Sequence, residues 1–152
     1  MAAYNQWQNE TLYALCADME DGERKRDRRM FFRSIHDTLD HILLIDELIF
    51  AYVEDGTRPK MDASRRHDDF EALRAARVAC DARLCQRAAT MTAEWLLEPL
   101  PTPGGRNAPR GFMLTQMFNH QTHHRSQITT HLHLMDIDYG STDMPFNPHS
   151  TF

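Results

Sequence analysis

The sequence predicts an all-α four-helix bundle, and three observations carry the prediction. The chain has 152 residues, enough to bury one core without disulfide or metal staples. Apolar residues recur at three- and four-residue spacing in four stretches of about 17–25 residues, the signature of amphipathic helices. Breakers separate those stretches: Asp21-Gly22, Asp55-Gly56-Thr57-Arg58-Pro59, and the run from Pro99 to Gly105. Residues 1–152 therefore read as a single domain.

The first helix is expected between about Ala3 and Met19, where Tyr4, Trp7, Thr11, Leu15 and Met19 share a face. The charged run Glu23-Arg24-Lys25-Arg26-Asp27-Arg28-Arg29 reads as a solvated loop or first turn, because two acids interleave with the five bases. A second helix is expected from about Met30 to Glu54, with Ile35, Leu39, Ile42, Leu43, Ile49 and Phe50 on one continuous stripe. The connection from Arg58 to His67 is longer than an up-down turn needs and permits a crossover. The third helix should start near Asp68 or Asp69 and bury Phe70, Leu73, Cys80, Leu84, Ala88 and Met91. Trp95 to Leu100, followed by Pro101 and Gly104-Gly105, reads as a short extended segment or hairpin. The fourth helix covers about Phe112 to Met135, and the tail around Pro145 and Pro148 is too proline-rich to be helical.

Composition narrows the function classes. The net charge of −5 and the pI near 5.9 argue against broad attraction to nucleic acid or anionic lipid, which needs a clustered positive face. Mean hydropathy is −0.59, and no stretch has the roughly 18 apolar residues of a membrane span. The first residues lack a signal-peptide pattern, so the expected location is cytoplasmic. Cys16, Cys80 and Cys85 form no C-x-x-C pair and read as reduced, partly buried thiols. No phosphate-cradling glycine loop is present.

The nine histidines are the unusual feature, and five crowd into Asn119 to His133. At about 100° per residue, His120, His124 and His131 fall within about 40° of one another on the apolar side of the fourth helix, with His123 at its boundary. The i,i+4 spacing of His120 and His124 brings two imidazoles within reach of one ion at about 2.0–2.1 Å each. The same pair also reads as two core-edge histidines with ordinary polar partners. On the second helix His41 borders the apolar side, between Leu48, Tyr52 and Ile45, whereas His36 faces outward by the same count. His41 can thus complete a set of three neutral nitrogens, which leaves coordination space for water or substrate. Asp37, one turn before His41, could orient a ligand from behind or be a solvated helix acid. Gln127 and His131 could line the pocket. Asp46, on the apolar face of the second helix, suits a buried structural ion pair. Gln121 beside His120 removes the H-E-x-x-H metalloprotease reading, which needs glutamate there. Ordinary histidine ligands should release metal as pH falls through about 6.5.

In four blocks the chain resembles the DinB family, of the DinB/YfiT-like four-helix type. The blocks are Tyr4-Asn5-Gln6-Trp7-Gln8-Asn9, Ser34-Ile35-His36-Asp37-Thr38-Leu39-Asp40-His41-Ile42-Leu43, Phe118-Asn119-His120-Gln121-Thr122-His123-His124-Arg125-Ser126-Gln127, and Asp143-Met144-Pro145-Phe146. Gln8, Asp40 and Ser126 depart from the family's more frequent residues. The resemblance implies that His41, His120 and His124 form a divalent metal site for zinc or nickel. It further implies a cytoplasmic bundle that often dimerises, a small-molecule substrate, and in some members transferase or isomerase chemistry with a low-molecular-weight thiol cosubstrate. The alternatives are a metal-dependent hydrolase and a non-catalytic, damage-inducible metal-binding protein.

Overall fold

The computed structural model describes residues 1–56, 66–102 and 104–149. Four long helices dominate: α1 (Ala2–Ala17), α3 (Ile35–Asp55), α4 (Phe70–Ala88) and α6 (Arg110–Leu134). Shorter elements are α2 (Asp21–Lys25), α5 (Ala93–Leu97), the antiparallel pair β1 (Pro99–Pro101) and β2 (Asn107–Pro109), and a 3-10 turn at Met144–Phe146.

Local chemistry explains the helix limits. Ser34 caps α3, its Oγ accepting from the Asp37 amide at 3.0 Å, and Asp69 caps α4 by accepting from the Ala72 amide at 2.7 Å. Gly56, at φ 75, closes α3 in the left-handed region, its amide donating to the Tyr52 carbonyl at 2.8 Å.

Contacts along the helices establish their directions. Tyr13 stacks on Phe70, Asn9 bonds Asp81 and the Cys85 thiol bonds Gln6, so α1 and α4 are antiparallel. His41 meets His124 near the end of α6 while Arg110 at its start reaches the Val53 carbonyl, so α3 and α6 are antiparallel as well. By contrast Phe70, Arg77 and Arg87 meet His36, Asp46 and Glu54 in turn, so α3 and α4 run parallel. The bundle is up-down-down-up. Returning along α3 means covering about 30 Å, and the chain from Gly56 to Asp69 reaches at most about 45 Å. The crossover that the sequence permitted is therefore the topology, although residues 57–65, including Arg58 and Pro59, lie outside the described residues.

Two apolar clusters fill the bundle. One joins Leu12, Ile35, Leu39, Leu73, Ile128 and Leu132; the other joins Phe50, Val53, Leu84, Leu100, Leu114 and Met117. Each such buried side chain contributes about 1.5–3 kcal/mol. Between them lies a buried polar layer. Arg77 bonds Asp46 at 2.6 Å and Asp81 at 2.9 Å, Asn9 bonds Asp81 at 3.0 Å, and Arg125 bonds Gln121 at 2.8 Å and also Asn5. All four long helices contribute to it, which fixes their register. Asp46 thus takes the structural ion-pair role that its position suggested, and at 1% exposure it leaves no face for other chemistry.

Several expectations need correction. The charged run is partly helical and partly buried: Arg24 turns inward and donates to the Cys16 carbonyl at 2.9 Å, closing the end of α1. The second long helix begins at Ile35, not Met30, because Ser34 caps it and Arg33 sits at φ 69, outside helical space. Trp95 begins no strand; it belongs to α5, held between the Arg87 and Arg110 guanidinium groups at 4.1 and 5.0 Å from its ring, and the hairpin follows it. The third helix stops at Ala88, short of Met91. His36 is fully buried, not outward. The wheel reads only the helix's own stripe, whereas His67, which enters from the crossover, covers His36 and accepts from its Nε2 at 2.7 Å through the backbone carbonyl.

Candidate metal centre

The antiparallel packing of α3 on α6 brings His41 opposite the i,i+4 pair His120 and His124. The His41 and His120 Nε2 atoms stand 3.1 Å apart. Ligand nitrogens from all three imidazoles lie within 4.8 Å of one another. Nitrogens bound at 2.0–2.1 Å in tetrahedral geometry sit about 3.3 Å apart, so the rings are close to a coordinating arrangement. This cluster could hold a metal ion. His124 is buried, while His41 and His120 keep part of their surface open.

Hydrogen bonding selects the nitrogens. Gln127 Oε1, which can only accept, lies 2.8 Å from His124 Nδ1, so that nitrogen carries the hydrogen and Nε2 faces the cluster with its lone pair. The Gln127 amide nitrogen reaches His123 Nε2 at 3.4 Å, and His123 packs edge-on against His124 with centroids 4.8 Å apart. His41 is oriented differently: the Phe32 ring stacks on it at 3.7 Å between centroids and stands 5.3 Å from His124. His120 Nδ1 is buried with no hydrogen-bond partner among the described residues.

The electrostatics suit a cation ligand set. Burial, followed by the neighbouring His124, pushes His41 down to about 4 against the opposing pull of Asp40. Burial and the adjoining histidines push His120 down to about 4, and burial lowers His124 against the effect of its Gln127 bond. The site is thus neutral at pH 7, with lone pairs available. Burial holds His41 and His120 at about 4, below the ordinary histidine value, and moves His124 in the same direction.

Other candidate residues fall at graded distances. Gln127 touches the centre directly, through His124. His131 is half-buried two turns further along α6, about 10 Å by helical rise. Asp37, considered behind His41, bonds Ser34 Oγ at 2.6 Å in the α3 cap. His67 bonds Asp40 at 2.8 Å, and His123, His133 and His149 are exposed. The wall formed by Phe32 went unread, because a helix starting at Met30 would carry Phe32 within its first turn. Ser34 with Asp37 three residues later, a capping spacing, was the available signal.

Fold and site together define an all-α four-helix protein with three inward histidines shared by two helices. The chain belongs to the DinB family, whose model matches residues 1–151, essentially its whole length. Comparison with curated proteins and with solved structures yields no match. Among the described residues, no helix is long and apolar enough to cross a membrane.

Proposed function

We propose that the protein is a metal-dependent enzyme in which a divalent ion, zinc or nickel, held by His41, His120 and His124, presents a low-molecular-weight thiol for transferase or isomerase chemistry on a small-molecule substrate. The observation that carries this reading is the convergence of three neutral imidazoles from α3 and α6 with no carboxylate in the cluster among the described residues. Three protein nitrogens leave coordination space open, as in catalytic and unlike structural sites. A divalent ion there would lower the pKa of a coordinated thiol.

The chain's own residues do the rest. His124 is held in one tautomer by Gln127, and His41 is held in one ring plane by Phe32. No cysteine of the chain suits the nucleophile's part. Burial pushes Cys16 up to about 12 and Cys80 up to about 11, and raises Cys85 also. A thiol nucleophile is therefore expected from outside. Hydrolysis lacks comparable support, since Asp46, the acid on the apolar face of α3, is bonded to Arg77.

Metal analysis of purified protein beside His41→Ala and His124→Ala tests the site: each variant should lose the ion, and full retention in both would sink the proposal. A thermal-shift screen of glutathione, bacillithiol and mycothiol tests the chemistry. At least one thiol should raise the melting temperature of metal-loaded protein and not of metal-stripped protein. Identical responses in both forms would remove the thiol from the reading.

A further inference from the structure

Residues 29–33 form a tight turn between α2 and α3 that buries Met30 in the core. Arg29 at φ 59 and Arg33 at φ 69 both occupy the left-handed region, which a long side chain seldom adopts. The turn is nonetheless well closed: the Arg33 amide donates to the Met30 carbonyl at 2.9 Å, the Arg28 amide to the Arg33 carbonyl at 2.7 Å, and the Ser34 amide to the Phe32 carbonyl at 2.8 Å. Such held strain tends to mark working parts of a protein. Here it directs two aromatic rings. Phe32 lies flat on His41, and Phe31 stands edge-on to Phe32 at 4.8 Å between centroids, with 78% of its surface exposed. Phe31 thus presents a large exposed ring one aromatic contact away from the half-open histidine cluster.

We propose that Phe31, braced by Phe32, is the platform for a flat apolar group, aromatic in the simplest case, on the small molecule whose donor atom reaches the three histidines. The proposal rests on the metal reading above and names the substrate class for that site. Phe32 acts as a positioning residue, stacked on His41 and in T-shaped contact with Phe31. Phe31 makes the contact. Stacking rewards planar surface and tolerates variation in its substituents, so the platform selects shape and leaves the reacting group to the histidine side.

The test uses zinc-loaded full-length protein, wild type and Phe31→Ala, titrated by calorimetry with 2-phenylethanethiol and with 2-mercaptoethanol. Phe31 ring signals are followed by NMR, and the titrations are repeated on chelator-stripped protein. Wild type should bind 2-phenylethanethiol about tenfold tighter, with shifts at Phe31. In Phe31→Ala the preference should fall to about threefold or less, with zinc content and 2-mercaptoethanol affinity unchanged. Equal affinities in wild type, or a preference that survives Phe31→Ala, overturn the platform and leave the metal reading intact. Phe31 shifts that persist while neither thiol depends on zinc support the platform and overturn the metal reading instead. Loss of self-association in Phe31→Ala with the thiol preference intact assigns the ring to a second copy and overturns the proposal.

Discussion

Two polar clusters are built into the same bundle, and they are satisfied in opposite ways. The Arg77 layer is largely paired within itself: Arg77 bonds both Asp46 and Asp81, and Asn5, Asn9, Gln121 and Arg125 supply further bonds, leaving Asp46 Oδ1 and Gln121 Nε2 as its buried atoms without a partner among the described residues. The histidine cluster does not close. Its three rings bring acceptor nitrogens together with no opposing charge, and His41 and His120 face each other at 3.1 Å with one shared proton at most. A buried polar group without partners is costly, so a fold keeps such an arrangement where something else completes it. The first cluster specifies how the helices meet; the second gathers nitrogens that could hold a metal ion.

The largest effect should come from breaking the closed cluster. Arg77→Met strands Asp46 and Asp81 in a dry interior and should destabilise the protein by about 3–5 kcal/mol in urea denaturation. A loss below about 1 kcal/mol would show that the layer is not what holds the register. The open cluster should behave differently. His41→Ala strands no charge, so metal-free stability should change by no more than about 1 kcal/mol, while the stabilisation added by metal disappears. Equal damage by both substitutions would erase the distinction between the clusters.

Much of this contrast was legible in the sequence, and the illegible part has a physical cause. A helix wheel needs only the 3.6-residue period, so it brought out His41, His120, His124 and Asp46 as inward-facing. Arg77 was missed: its signal was a charge standing in the apolar stripe of Phe70, Leu73, Cys80 and Leu84, and its partner Asp46 is 31 positions away. His36 misled the wheel for the same reason, because what buries it is His67, delivered by the crossover. Periodicity cannot report contacts between distant segments. Phe32 was hidden by a boundary error of a few residues, the least certain part of any helix reading. Gln127 reads from the sequence as a pocket residue, whereas its bond to His124 Nδ1 depends on a rotamer and a distance that no wheel contains.

That bond gives the next test of the open cluster. If Gln127 holds His124 in the tautomer that points Nε2 at the ion, Gln127→Leu should lower metal affinity about 10- to 100-fold while urea stability of the metal-free protein stays near wild type. Gln127→Glu, which keeps an acceptor at the same reach, should recover most of that affinity. Unchanged affinity in Gln127→Leu would make the residue a pocket wall and nothing more.

The smallest effect, and the one most particular to the open cluster, is on the pH dependence of the metal-free protein. His41 and His120 are held near 4 when folded, mainly by burial, and titrate near 6.5 when unfolded. Between those values the unfolded chain binds more protons than the native one, so stability rises with pH across this window. It should therefore be full above about pH 7 and decline as pH falls from about 6.5 toward 4. His123 is exposed beside His124, and Asp40 opposes the shift at His41; neither reverses the sign. Urea midpoints of stripped wild type and of a His41→Ala/His120→Ala double variant, compared at pH 7.5 and 5.0, isolate the two groups. Wild type should lose more on acidification than the double variant. Parallel losses would mean that the imidazoles protonate in the native state as readily as in water, and that the cluster is far wetter than its packing implies.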